Sequence, residues 1–148
     1  MVWKPHVTVA AVIEDNGRFL LVEENSDGEN VFNQPAGHLE QGENLTQAVI
    51  RETLEETAWK FLPKALIGIY RWPHPLKSIT YIRFAFTGEL LEREQDRLLD
   101  DGIIRTVWMT PDEIRACQSM HRSPQVMQCV DDYLAGQRAP LSILKELS

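Results

Sequence analysis

Residues 37–59 read GHLEQGENLTQAVIRETLEETAW. From Asn44 to about Thr57 there is no Gly or Pro and good helix formers dominate, so this part reads as a helix. Advancing about 100° per residue from Leu45 puts Ala48, Val49, Glu52, Glu55 and Glu56 on one broad face, with Ile50 and Leu54 roughly opposite. A helix apolar on two sides is expected to be largely covered. Glu52 then has like-charged neighbours at Glu55 and Glu56. Each such pair costs a few tenths of a kcal/mol when exposed and more when desolvated. Two readings follow: a solvated acidic face, or a socket for a hard divalent cation. Mg²⁺ takes oxygen ligands and bridges carboxylates to substrate phosphates. Two neighbours favour the socket. Arg51 sits at the edge of the cluster, where it can order one carboxylate. Gly37–Gly42 is a glycine-bounded loop leading into the helix, and it permits close backbone approach, so a carbonyl near Gly37 can join the carboxylates on a metal.

On the N-terminal side of this stretch, His6–Ile13 is β-branched and reads as a buried strand. Asn16-Gly17 suits a type I′ turn, and Arg18–Glu23 reads as the returning strand. Residues 25–30 are polar, contain Gly28 and read as a loop. On the C-terminal side, Ala65–Trp72 reads as a strand closed by Pro73 and Pro75. Ser78–Leu91 alternates, with Thr80, Ile82, Phe84 and Phe86 on one face and Ile79, Tyr81, Arg83 and Ala85 on the other. Residues 92–101 read as a charged loop and Ile103–Met109 as a strand. Thr110-Pro111-Asp112-Glu113 carries the signature of a capped helix start. Ser123-Pro124 opens a second C-terminal helix ending near Gly136. The order of strands, helix, strands, helices predicts a mixed sheet with helices packed on it, in a single domain over 1–148.

Composition narrows the function. The 148 residues are 43% hydrophobic and 25% charged, an ordinary globular balance. The net charge of -7 lacks the basic footprint of a nucleic-acid clamp, so no nucleic-acid polymer is expected as a partner. No apolar run approaches the ~18 residues of a membrane span, so no membrane partner is expected either. There is no basic region followed by an apolar one, as a secretory signal requires. Cys117 and Cys129 have no metal-ligand spacing and read as reduced thiols of a cytoplasmic protein, expected to be a monomer.

At this point the residues resemble a known family. Gly37, Glu43, Arg51, Glu52, Glu55 and Glu56 stand at the spacing of the Nudix box, which here spans 37–59. Two positions depart from it. Thr53 replaces a bulky aliphatic residue. Ala58 replaces a glycine, and an alanine in a left-handed cap costs on the order of 1 kcal/mol, so the helix is expected to end differently here. The resemblance extends beyond the box, through His6–Ala10, Asn33–Glu40, Arg83-Phe84, Arg122–Pro124 and Ala135–Leu141, to a bacterial phosphatase of the same family.

This resemblance implies an α/β fold of α+β type, an α/β/α sandwich with a mixed central sheet. It implies an EC 3.6.1-type hydrolase that uses Mg²⁺, with Mn²⁺ able to substitute, and a small phosphorylated substrate. The substrates implied are nucleoside tri- and diphosphates and thiamine-pathway pyrophosphates such as hydroxymethylpyrimidine pyrophosphate, with release of orthophosphate. Alternatives are a pyrophosphatase for ADP-ribose or damaged nucleotides, or a silent nucleotide-binding module. By the same resemblance Gly37, Glu52, Glu55 and Glu56 hold the metal, and Glu52 or Glu56 takes the proton of the attacking water. Glu43 pairs with Arg51 behind them.

Beyond the box, Arg83 interrupts an apolar strand and reads either as a phosphate contact or as an edge-strand arginine facing solvent. His6, His38, Arg71 and His74 are weaker substrate-facing candidates. Trp3, Trp72 and Tyr81 can stack on a ring, but core packing is the expectation for each. Asp100 and Asp101 can approach a metal, although a solvated loop is the first expectation.

Overall fold

A computed structural model describes residues 2–147. Its strands form two sheets, with helices on both sides, which is the α/β/α sandwich expected above. The first sheet comprises β1 (His6–Ala11), β5 (Ala36–His38), β6 (Trp59–Pro73), β7 (Thr80–Arg93) and β9 (Ala139–Pro140), in the order β5-β1-β7-β6-β9. It is mixed, because β1 and β7 run parallel while β5, β6 and β9 pair antiparallel to their neighbours. The second sheet is antiparallel. Its central strand β3 (Arg18–Ser26) pairs with β2 (Glu14–Asp15), β4 (Glu29–Asn33) and β8 (Ile103–Met109).

The helix α1 (Leu45–Thr57) covers one apolar cluster, in which Ala48 and Val49 meet Val9, Ala11, Phe61, Leu66 and Phe86. The helices α2 (Pro111–Ala116) and α3 (Gln125–Leu134) cover the other, in which Ile114, Met127 and Val130 meet Phe19, Leu21, Ile67 and Ala85. The alternation of β7 is therefore real: Phe86 packs toward α1 and Ala85 toward α3. Both capped helix starts read from the sequence are present. Asn44 and Gln47 form a reciprocal capping box on α1, and Thr110 and Glu113 form one on α2.

Several expectations need correction. Residues 25–30 are not a loop. Asp27 and Gly28 take φ of 52° and 85°, the backbone of a type I′ turn, so β3 and β4 form a tight hairpin. The strand after Asn16-Gly17 does not return against β1. Val12 and Ile13 are buried as the chain passes between sheets, and the turn joins β3 to the short β2 instead. Residues 36–38, at the start of the supposed loop, are a strand on β1. The strand that follows α1, β6, begins at Trp59 rather than Ala65, with its register shifting at Pro63 where a proline cannot donate to the ladder. Ile50 is 37% exposed, so only one side of α1 is covered. Finally, Ala58 does adopt the left-handed conformation, at φ 65°, and closes the helix where a glycine was expected to be needed.

Candidate active site

Helix α1 places the acidic cluster, and β5 brings the backbone to it. Glu52 and Glu56 lie on the buried side of α1. The pairing of Gly37 with Val9 lays β5 across that side. A methyl group on Gly37 would fall on the Glu52 carboxylate, so any larger residue there forces that carboxylate to move. Ala36 donates its backbone N–H to Glu56 Oε1 at 3.0 Å.

Arg51 binds this cluster together. Its Nε and Nη2 donate to the two carboxylate oxygens of Glu43 at 3.0 and 2.6 Å, a bidentate pair. Nη1 donates to Glu52 at 2.7 Å and lies 3.3 Å from Glu55. Nη2 also donates to the His38 carbonyl at 3.1 Å. These carboxylates hold the guanidinium protonated, and Arg51 in turn pulls Glu43 below the usual carboxylate range.

The deeper carboxyls are pushed the other way. Burial raises Glu52 to about 7, although Arg51 pulls it down. Burial raises Glu56 to about 9, with Glu24, Glu52 and Asp100 adding repulsion. Such shifts mean that the ionised forms lack compensating positive charge.

Among the described residues, one group of carboxylates has its oxygens close enough to share an ion: Glu52, Glu55 and Asp100, within 4.8 Å of one another. Asp100 was expected in a solvated loop. It is exposed in that loop, and its N–H donates to the Glu55 carbonyl at 3.0 Å, which ties the loop to the end of α1. Burial and Glu55 raise its carboxyl pKa. An all-oxygen anionic donor set, packed against the backbone of Gly37, fits a hard divalent cation.

A cavity of about 560 Å³ opens beside the cluster. Ala36, Gly37 and His38 belong to its wall, so cavity and carboxylates share strand β5. At the rim, Trp72 and Tyr81 stack with centroids 5.8 Å apart and planes 17° apart. His6 and His38 meet at 3.0 Å between ring nitrogens, both close to Tyr81. The expectation of core packing is thus overturned for Trp72 and Tyr81, which line the cavity, and for Trp3, which is 64% exposed.

Arg83 is not an edge arginine facing solvent. Its strand is central, and the side chain is 3% exposed on the cavity floor. Nη1 donates to Gln34 Oε1 and Nη2 to Asn33 Oδ1, both at 2.9 Å. Of the weaker candidates, His38 and His74 line the cavity, while Arg71 is exposed and outside its lining.

Lys77 and Arg122, neither of them singled out above as a substrate-facing candidate, also line the cavity. Arg122 donates to the buried Glu24 at 2.8 Å, and Lys77 reaches Asp27 at 2.9 Å across the mouth. Both sit in connections without periodicity, and their partners are distant in the chain.

Comparison with known proteins agrees with this geometry. The NUDIX domain profile matches residues 4–128. The chain belongs to the Nudix family. It is 38% identical over 146 residues to phosphatase NudJ of Escherichia coli K12, covering 99% of this chain and 94% of that protein. It superposes on a Nudix hydrolase from Nitrosomonas europaea with a TM-score of 0.95 and 54% identity, covering 97% of this chain and 98% of the other. A MutT Nudix hydrolase from Burkholderia pseudomallei shares the fold, at a TM-score of 0.75 and 16% identity over 88% of this chain and 98% of the other. The chain is accordingly a Nudix hydrolase of the phosphoanhydride type, similar to phosphatase NudJ. Nudix hydrolases generally use divalent metals, which agrees with the donor set at Glu52, Glu55 and Asp100. Among the described residues, no helix is long and apolar enough to cross a membrane.

Proposed function

We propose that this Nudix hydrolase uses Mg²⁺, or Mn²⁺ in its place, to cleave the phosphoanhydride bonds of nucleoside tri- and diphosphates. Small pyrophosphates such as hydroxymethylpyrimidine pyrophosphate are a second substrate group, with orthophosphate as a product. The observation that carries this reading is the shared strand: Gly37 belongs both to the cavity wall and to the backbone packed against Glu52. A substrate whose organic part fills the cavity has its phosphates directed toward the carboxylates.

Glu52, Glu55 and Glu56, with the Gly37 carbonyl, are the proposed metal ligands, and Asp100 joins them by position. The bound ion neutralises phosphate charge and lowers the pKa of an attacking water. Glu52 and Glu56 are the two carboxylates proposed to accept that water's proton. Glu43 acts through Arg51, which it grips with both oxygens, and so fixes the cluster's geometry. Arg83, His6 and His38 are the proposed substrate-facing residues. The working unit in this proposal is a cytoplasmic monomer, one Nudix domain over 1–148.

The test is a panel of nucleotides, ADP-ribose and small pyrophosphates incubated with purified protein and Mg²⁺, scoring orthophosphate and pyrophosphate separately. Orthophosphate from nucleoside tri- and diphosphates is the expected result. Turnover of ADP-ribose alone would move the protein to a different substrate class, and turnover of nothing would leave a silent nucleotide-binding module.

A further inference from the structure

The carboxylates of Glu52, Glu55, Glu56 and Asp100 repel a polyanion, and a bound metal neutralises only the phosphate it touches. A phosphate farther into the cavity needs a cation of the protein's own. The basic side chains around the site differ in what they have left to give. Arg51 spends its three guanidinium nitrogens on Glu43, Glu52, Glu55 and the His38 carbonyl. Arg83 is buried and spends both terminal nitrogens on Gln34 and Asn33. Lys77 is exposed and tied to Asp27. Arg122 is different. Among the described residues its side chain makes one hydrogen bond, from Nη1 to Glu24 Oε1 at 2.8 Å. Its Nε and Nη2 are unspent, the same edge with which Arg51 grips both oxygens of Glu43. The side chain is 44% exposed, so that edge is open to a ligand.

Its neighbours place Arg122 between the mouth of the cavity and the acidic cluster. His38, on β5 beside Gly37, and Asp27, at the mouth, line the cavity with it. Its charge reaches both. After burial and His6, Arg122 lowers the His38 pKa, and after Lys77 it lowers that of Asp27. On the other side, Glu24 is buried and close enough to Glu56 to add, after burial, to the upward push on that carboxyl. One buried carboxylate therefore separates Arg122 from the cluster. The mounting is firm. The Arg122 N–H donates to the Phe32 carbonyl at 2.8 Å, and Asn33, which accepts from Arg83, turns its Nδ2 toward Glu24 at 3.5 Å.

We infer that Arg122 anchors a second phosphate, on the cavity side of the metal-bound one, and that Glu24 is the positioning residue that holds it there. The Nε–Nη2 edge presents two parallel donors, which match two oxygens of one phosphate. Glu24 takes the remaining terminal nitrogen and fixes the plane of the guanidinium. The substrate class is then set to molecules with two or more linked phosphates, because a lone phosphate reaches the metal or Arg122 but not both. This inference rests on the reading that the substrate's phosphates run from the cavity to the carboxylates.

The test is equilibrium binding, by calorimetry, of imidodiphosphate and of inorganic phosphate to the full chain in saturating Mg²⁺. Neither probe carries a ring, and neither has a phosphoanhydride bond to cleave. Arg122→Gln, which can still donate to Glu24, is expected to weaken imidodiphosphate about tenfold or more, the scale of lost charge-assisted hydrogen bonds, while phosphate changes by less than about threefold. Arg122→Lys, which keeps the charge without the fork, is expected to recover part of that loss. Glu24→Gln is expected to weaken imidodiphosphate in the wild-type background and to add nothing in the Arg122→Gln background, as a residue acting through Arg122 must. Unchanged imidodiphosphate affinity in Arg122→Gln overturns the inference. So does an equal loss of both probes, which places the damage at the metal end. Additive losses from Glu24→Gln and Arg122→Gln overturn the role given to Glu24. A selective loss of imidodiphosphate in a protein that turns over no nucleotide upholds the anchor and sinks the proposed hydrolysis. Nucleotide turnover with imidodiphosphate affinity unchanged in Arg122→Gln does the reverse.

Discussion

Glu56 is an acid held at odds with its surroundings. Burial opposes its charge, and the Ala36 N–H is the hydrogen bond that offsets it. Glu56→Gln keeps the shape and can still accept from Ala36. In the proposed role, kcat with Mg²⁺ should fall by roughly 100-fold or more, while the melting temperature at pH 8 holds or rises. Near-normal turnover would remove Glu56 from the chemistry. Gly37→Ala tests the backbone cradle. Its methyl group is directed onto the Glu52 carboxylate, so Mg²⁺ half-saturation of activity should shift about tenfold or more upward, the scale of a disturbed ligand environment. An unchanged metal dependence would show that Glu52 can move aside freely.

The residues of the box were legible because their chemistry depends on spacing along a single helix. Asp100 was harder, because a carboxylate in a charged loop looks the same whether it faces water or another element. Arg83 was harder still. Its neighbours Asn33, Gln34 and Cys129 come from two other parts of the chain, and nothing local reveals that its strand is central.

At the scale of elements, α1 owes its start to side chains and its end to strain. The Asn44 side chain accepts from the Gln47 N–H at 2.8 Å, and Gln47 returns the bond to Asn44 N–H at 2.9 Å. Asn44→Ala should cost about 1 kcal/mol in denaturant unfolding. Ala58 behaves oppositely. Replacing it by glycine relieves a left-handed alanine, worth on the order of 1 kcal/mol, but removes a fully buried methyl group of about 0.8 kcal/mol. Ala58→Gly should therefore change stability by less than about 0.5 kcal/mol, and a larger loss in the same unfolding assay would mean that packing dominates the cap. The near balance explains why the box tolerates alanine here. The Asp27-Gly28 hairpin was missed for a different reason. Polar residues between strands suggest a loop by composition, whereas this dipeptide's positive φ angles are what a two-residue turn requires.

For the whole molecule, the raised carboxyls link stability to pH. Glu52 and Glu56 have folded-state values of about 7 and about 9, against 4.5 for the free side chain. Between those limits the native protein binds more protons than the unfolded chain, so stability falls as pH rises. Below 4.5 both states are protonated, and the difference vanishes. The metal-free protein should thus melt at progressively lower temperature from pH 5 to pH 9, while saturating Mg²⁺ raises the melting temperature most at the alkaline end. Parallel melting curves with and without Mg²⁺ across that range would contradict the metal assignment. A mixed sheet with helices packed on it was readable from the order of elements, and the α/β/α layering from the family resemblance. The division into two sheets was not, because it depends on Val12 and Ile13 carrying the chain between layers, and buried residues look alike in either sheet.

The meeting of cavity and carboxylates on β5 separates two kinds of change. The acidic cluster is carried by α1 and the loop at Asp100, whereas the aromatic and basic residues of the cavity wall come from β6, β7 and the segment before α3. Substitutions at Trp72 or Tyr81, which line the cavity and do not touch the carboxylates, are therefore expected to change which molecule is accepted while the acidic cluster stays intact. Preference can drift or be redesigned independently of reaction type, and Ala36–His38 is the hinge in that division, where altering one function disturbs the other.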